Sequence, residues 1–382
     1  MKIVYCLNSI RGIGGIQKVT VVKANALAEI SDNEVYVVVT DNKGGVLTEP
    51  LSPKVHLIDL DVNYYQDDWQ SKWNVLKGIF IKRREHKKRL KAVLNEIQPD
   101  VVISVGQSEK NMIPSIKANF VKIREFHYTK DYRMKHANSL LDKLMAIWGD
   151  LYDYIIFKTN GYDKIIILTN EDLELNWKGY TNVSVIPNPS TFQSDRLASL
   201  EPKKVVSVGR LSMPKNFASL IGAFKWVVKK HPDWNLEIYG EGPQKKELEN
   251  LIKQLNLTQN VFLRGYTSDV KGVMADSSLY VLSSIFEGFA LVLIEAMSCG
   301  LPVVAYACPT GPKDIISEGK DGFIVPVNDE KELARRICLL IEDENKRKEM
   351  GRCALEKSKQ YQIGPIVQQW MKLFDELIKT KI

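Results

Sequence analysis

The stretch Val185–Leu211, VIPNPSTFQSDRLASLEPKKVVSVGRL, divides two runs of alternating strand and helix signals. Residues 185–204 carry Pro187, Pro189 and Pro202 with little periodicity, which reads as a linker. The end, VVSVGRL, is a β-branched run closed by glycine and reads as a new strand. Upstream, the apolar strand candidates are Lys2–Leu7, Val35–Thr40, Val55–Leu60, Val101–Val105, Phe120–Arg124, Ile165–Thr169 and Val183–Ile186, mostly with helical stretches between. Downstream, strands Val205–Val208, Leu236–Tyr239, Val261–Leu263, Leu279–Leu282 and Val303–Ala307 alternate with helices starting near Asn216, Pro243, Asp269 and Leu291. From about Glu330 the chain reads as helical to its end. Apolar strands separated by helices predict parallel sheets covered on both faces. The reading is therefore α/β, with two Rossmann-like doubly wound domains. The first spans residues 1–188, the linker 189–203 and the second 204–360. Such sheets bind ligands at the C-terminal ends of their strands, so two of them joined by a hinge predict a central cleft.

A length of 382 residues agrees with two domains, and 45% apolar with 26% charged content is ordinary for a soluble protein. No apolar run reaches the ~18 residues needed to span a bilayer. The start, MKIVYCLNSI, reads as a strand rather than a signal peptide. Cys6, Cys299, Cys308, Cys338 and Cys353 are scattered without ligand spacing, which suits thiols in a reducing cytosol. The net charge of +7 is concentrated. Residues 72–91 hold nine Lys or Arg against Glu85 alone, a local charge of +8. Trp73, Leu76 and Phe80 precede this run, and Leu90, Leu94 and Ile97 end it at helical spacing. The segment reads either as a solvated charged helix or as one facing anionic lipid or an anionic acceptor. No nucleic-acid module accompanies the charge, so nucleic acid is not an expected partner.

The chemistry-bearing residues follow the strands. After the first comes RGIGGIQKV, where Gly12, Gly14 and Gly15 stand at a strand-to-helix turn, either a tight turn or an anion site built from backbone N–H groups. A dinucleotide fingerprint needs glycine where Gln17 stands, so a nicotinamide enzyme fits poorly. At the matching point of the second half, VGRLSMPKNF places Arg210 and Lys215 just after a strand, two cations suited to a diphosphate. In FEGFALVLIEAMSCGLP, residues 286–302, Gly300 and Pro302 end a buried helix. Glu287 precedes that helix and Glu295 lies inside it, where a carboxylate is costly unless something donates hydrogen bonds to it. The two acids read either as a cap plus a paired structural group, or as a site. In the second case Phe289, Ala290 and Leu291 present unpaired N–H groups to phosphate, Glu287 takes sugar hydroxyls and Glu295 a ribose.

Taken together, GRL…PKN, GEGP, RGY, the E-x7-E element in EGFALVLIEAMSCGLPVVA, the VIPNP hinge and TGPKDII…GKDGFIV resemble the retaining glycosyltransferases of family 4, also called glycosyl transferases group 1, which have the GT-B fold. The motifs match in order from Gly14 to about Val325. The resemblance implies that Arg210 and Lys215 bind the donor diphosphate with the Gly14 and Gly15 amides, and that Glu287 holds the donor sugar and Glu295 the ribose. It implies that the Phe289, Ala290 and Leu291 amides complete the contacts and that Tyr266 lies at the base. It implies that a final helix, 361–382, crosses back to the first domain. His127, in REFHYT, follows a strand and faces the cleft by topology. Either it is structural, or, as the resemblance implies, it acts near the sugar and the acceptor hydroxyl.

The expected activity is retaining transfer of a hexose or N-acetylhexosamine from a nucleotide-sugar to a hydroxyl of a sugar or lipid-linked sugar, in surface polysaccharide or glycan assembly. UDP is favoured because it is the commoner donor nucleotide in the resembling family. No cofactor and no metal are expected, since cations already face the phosphates and no suitably placed DxD element is present. The expected location is cytoplasmic, at the inner membrane face if residues 72–91 bind lipid. The alternatives are a sugar-nucleotide-binding protein without turnover, or a glycoside hydrolase using the two glutamates as acid and base.

Overall fold

The computed structural model describes residues 1–12, 14–42, 47, 49–64, 72–128, 139–158 and 161–381. The chain forms two compact units: residues 1–168, 173–189 and 363–382 make the first, and residues 169–172 and 190–362 the second.

The first unit is a seven-stranded sheet. Its strands are β1 (Lys2–Leu7), β2 (Glu34–Val39), β3 (Val55–Asp59), β4 (Val101–Ser104), β5 (Val121–Glu125), β6 (Lys164–Ile167) and β7 (Val183–Val185). They run in the order β3-β2-β1-β4-β5-β6-β7, and every pairing is parallel. Helices α1 (Gly15–Ala28), α2 (Lys72–Ile97), α3 (Leu140–Lys158) and α4 (Asn170–Asn176) lie between strands. Val and Ile on both faces of these strands feed two core layers. One layer takes Val21, Ala24 and Leu27 of α1. The other takes Leu90, Leu94 and Ile97 of α2 and Phe157 of α3. Leu90, Leu94 and Ile97 thus turn inward as their spacing suggests, whereas the side chains of Trp73, Leu76 and Phe80 lie outside the described residues.

The second unit holds β8 (Lys204–Val208), β9 (Asn235–Tyr239), β10 (Val261–Gly265), β11 (Leu279–Leu282), β12 (Val303–Tyr306) and β13 (Gly322–Val325). Their order is β10-β9-β8-β11-β12-β13, again all parallel. Helices α5 (Phe217–Lys230), α6 (Lys245–Gln254), α7 (Val270–Ala275), α8 (Leu291–Ser298), α9 (Pro312–Ile315), α10 (Glu330–Glu342) and α11 (Glu344–Ser358) accompany them. The last helix, α12 (Ile363–Lys381), belongs to the first unit, where Ile366, Trp370 and Phe374 enter the α1 layer.

Three sequence readings differ from the structure. Strand β13 was not among the strands read from the sequence, because a four-residue edge strand starting on glycine gives little signal. Residues 190–203 are no free linker but part of the second unit. Ser190 N–H donates to the Tyr361 carbonyl at 2.7 Å and Ala198 N–H to that of Cys299 at 2.9 Å. An irregular segment satisfies its backbone this way without any periodic pattern. Residues 169–172 also group with the second unit rather than the first, through Asp314, which accepts from the N–H groups of Asn170 and Glu171.

Candidate active site

In the second unit, β8 and β11 are neighbours, and the strand order reverses between them. Doubly wound sheets place ligands at such a switch point. The loop after β8 carries Arg210 and Lys215, and the loop after β11 carries Glu287. Lys215 Nζ donates to Glu287 Oε1 at 2.6 Å, and both side chains are largely buried. Ser284 Oγ donates to the same oxygen at 2.6 Å, while Ser283 Oγ holds the Lys215 carbonyl at 2.9 Å. Adjacent serines at the end of one strand therefore fix both members of the pair. Glu287 Oε2 accepts no hydrogen bond among the described residues. Arg210 is exposed, and its guanidinium likewise has no partner among them.

Backbone contact explains why the Arg210 turn stands where it does. Gly209 N–H donates to the Tyr239 carbonyl and Leu211 N–H to that of Glu241, at 2.9 and 3.0 Å. Gly240 N–H in turn reaches the Gly265 carbonyl at 2.8 Å, so the GRL, GEGP and RGY motifs are the laced ends of three adjacent strands. A Cβ on Gly240, whose φ is +146°, would stand 1.9 Å from the Gly209 oxygen, and one on Gly242 would stand 2.2 Å from that of Leu211. Only glycine permits this approach. Tyr266, directly after β10, is exposed at the same strand ends.

Ala290 caps α8 in the left-handed region with φ 55°. The N–H groups of Leu291 and Val292, the first of α8, have no acceptor within the helix, while that of Leu293 donates to the Ala290 carbonyl at 2.9 Å. Phe289 is buried edge-on to Tyr361, and its carbonyl lies where a Cβ on Gly311 would come within 2.7 Å. Glu295 is inside α8, and Thr191 Oγ1 donates to its Oε1 at 2.5 Å. A donor to this half-buried carboxylate thus comes from the segment read as a linker. Cys308 is buried, and burial followed by the charge of Glu287 pushes its thiol well up, so it offers no thiolate nucleophile.

The first unit has its own cluster. Gly14 caps α1 and Gly15 opens it, both exposed. A Cβ on Gly15 would meet nothing, whereas one on Gly14 would stand 2.4 Å from the Gln17 carboxamide. The side chain of His127, two residues past β5, is only 2% exposed. Its Nε2 lies 3.3 Å from Glu125 Oε1, outside hydrogen-bond geometry, and its Nδ1 lies 3.4 Å from Asn188 Nδ2. Glu125 forms a fully buried ion pair with Lys23 of α1. Burial works to raise the Glu125 pKa, but the Lys23 ammonium and then His127 outweigh it and hold it at about 2. Burial lowers the pKa of His127, with Glu125 opposing.

Residues 190–357 match the family model described as glycosyl transferases group 1. Over 374 residues, 97% of this chain and 98% of the relative, the chain is 29% identical to an uncharacterized glycosyltransferase of Haemophilus influenzae. Residues 190–357 thus carry the pattern of the group 1 glycosyl transferases. Another relative is the poly(ribitol-phosphate) alpha-N-acetylglucosaminyltransferase of Staphylococcus aureus, 32% identical over 232 residues. That match covers 58% of this chain and 46% of the relative. A crystal structure of S. aureus TarM, solved with fondaparinux, alpha-GlcNAc-glycerol and UDP, superposes with a TM-score of 0.76 at 18% identity. It covers 98% of this chain and 99% of that one, which shows the shared GT-B fold.

The sequence-derived residues Arg210, Lys215, Glu287, Phe289, Ala290, Leu291, Glu295 and Tyr266 all fall in the second unit, and Gly14, Gly15 and His127 in the first. Sequence reasoning missed Ser283, Ser284, Thr191, Lys23 and Glu125. Ser284 stands three residues before Glu287, a local spacing that was available in the string. Thr191 and Lys23 stand far along the chain from their partners and gave no local signal.

Proposed function

We propose that this chain is a glycosyltransferase that moves a hexose or N-acetylhexosamine from a UDP-sugar, with retention, to a hydroxyl of a sugar or lipid-linked sugar. Surface polysaccharide or glycan assembly, at the cytoplasmic face of a membrane, is the proposed setting. The observation that carries the reading is the Lys215–Glu287 pair at the switch point of the second sheet, with Arg210 open beside it. One ammonium proton of Lys215 is committed to Glu287, and two remain for phosphate oxygens. Glu287 keeps Oε2 for a sugar hydroxyl. A ligand bridging lysine and glutamate is thereby a phosphate joined to a sugar.

In this reading the acceptor oxygen bonds to the anomeric carbon on the face from which the diphosphate leaves. The bond from that carbon to the diphosphate oxygen breaks, and the acceptor proton passes to the departing phosphate. Arg210, Lys215 and the first N–H groups of α8 match the charge that develops on the leaving oxygen. Glu295 with Thr191 takes the ribose and Tyr266 the base. His127 acts through the order it gives the acceptor side rather than as an open base, since its ring is buried. Protein cations and helix amides take the place of a divalent ion. The glutamates have separate partners, which favours donor binding over a hydrolase pair.

The test is a screen of slow donor hydrolysis across UDP- and GDP-sugars, with and without EDTA. A UDP-sugar should be consumed, and EDTA should change nothing. Arg210→Ala and Lys215→Ala should each lose ~2–4 kcal/mol of transition-state stabilisation. Wild-type turnover in either variant, or a divalent ion requirement, would refute the assignment.

A further inference from the structure

Helix α3 is built inside out. Its anchoring face is Ala146, Asp153 and Phe157, all buried, with Asp153 held by Lys110 through two contacts of 2.8 Å. The opposite face carries Leu144, Trp148, Leu151 and Ile155, spaced four, three and four residues apart and so stacked in one stripe along the helix. Trp148 is 69% exposed, and the other three are about half exposed. Met145 and Ile147 flank the stripe and are exposed as well. An amphipathic helix on a protein surface normally turns such a stripe to the core. A contiguous apolar stripe facing outward marks an interaction surface.

What covers it follows from the neighbouring helix. Leu90, Leu94 and Ile97 of α2 enter the same core layer as Phe157 of α3, so both helices back onto one face of the first sheet. On α2, Arg83, Arg84, Lys87, Lys88 and Lys91 are exposed, and none forms an ion pair among the described residues. Glu85, the acid among them, is already held by Arg89. A second copy packed face to face on this surface would bring the two cationic helices together and be repelled. An apolar layer beneath anionic groups satisfies both helices at once.

We infer that this face of the first unit docks on an anionic lipid surface, with the α3 stripe entering the acyl boundary and the α2 cations meeting the headgroups. The inference deepens the proposed lipid-linked acceptor, because it places the enzyme where that acceptor would lie. No described helix is long and apolar enough to cross a membrane, so the contact is interfacial. Trp148 is the side chain expected deepest at the interface, where indole rings favour the headgroup level. The α2 cations act over a Debye length of ~8–10 Å and set the lipid selectivity.

The experiment uses the full chain with vesicles of phosphatidylcholine alone and of phosphatidylcholine with phosphatidylglycerol in equal parts. Binding should appear on the anionic vesicles, weaken with salt, and be accompanied by quenching of tryptophan emission by brominated lipid. Trp148→Gln with Leu151→Gln should weaken partition by about tenfold or more and remove most of that quenching, since two apolar side chains are withdrawn from the acyl boundary. Circular dichroism and a thermal melt should match wild type, because both residues are exposed. No binding by folded wild type, or binding indifferent to the double substitution, overturns the inference. Self-association abolished by the same substitution overturns it in favour of a second copy. Donor hydrolysis in solution is scored separately: its failure sinks the donor reading and leaves vesicle binding to stand or fall alone.

Discussion

Glu287 and Glu295 stand eight residues apart in sequence yet are held by different means. Glu287 is fixed by Lys215 and Ser284, Glu295 by Thr191. If Glu287 takes the sugar and Glu295 the ribose, their amide variants separate two measurements. Glu287→Gln should depress transfer by roughly 10²-fold or more while UDP alone binds nearly as before. Glu295→Gln should weaken UDP itself, by calorimetry, by the roughly tenfold that a lost charged hydrogen bond implies. Equal effects on free UDP would show that the roles are wrongly divided. The pair was legible in the sequence because both acids break an apolar context. What holds each acid was not, since Lys215 lies 72 positions from Glu287 and Thr191 lies 104 positions from Glu295.

At the scale of elements, the motif glycines are of two kinds. Gly240 is there for space: its backbone touches that of Gly209, and its φ lies in the positive region. Gly240→Ala should therefore cost at least ~2 kcal/mol in urea unfolding and loosen the Arg210 turn with it. Gly15 has open space around it at the start of α1. Gly15→Ala should leave stability unchanged or raise it by about 0.5–1 kcal/mol. If the α1 N-terminus approaches phosphate, the same variant should raise KM for the donor. A stable variant with unchanged KM would return the loop to a plain turn. Strand alternation gave the elements correctly wherever β-branched runs were long. It failed at β13 and at residues 190–203, where hydrogen bonding rather than periodicity fixes the chain.

For the molecule as a whole, acid should be the vulnerable direction. His86 is buried on α2 with Tyr64 against its ring, and burial, helped by the Arg83 charge, brings its pKa down to about 4. In the unfolded chain a histidine takes its proton near pH 6.5. Between these values the unfolded state binds more protons than the folded one, so stability falls as pH falls through that window. The loss amounts to as much as ~3 kcal/mol by the lower end. His127 shifts in the same direction. Urea midpoints measured from pH 7 to pH 4.5 should decline, and His86→Gln should flatten that decline. A flat profile in wild type would show that His86 is protonated without cost.

The sequence by itself determined the alternation of two parallel sheets and the order of motifs along them, because strand periodicity and glycine spacing are local properties. It also determined which residue types reach the strand ends, including Arg210, Lys215 and Glu287. Tertiary structure alone decided that Lys215 pairs with Glu287, that Lys23 pairs with Glu125 beside a buried His127 side chain, and that α12 completes the core of the first unit. It alone decided that α3 turns its apolar stripe outward, since the same heptad-like spacing would serve a buried face equally well. Pairing across long stretches of chain depends on which backbones approach in space, and burial depends on what is packed against each face. Neither quantity is carried by any single window of residues.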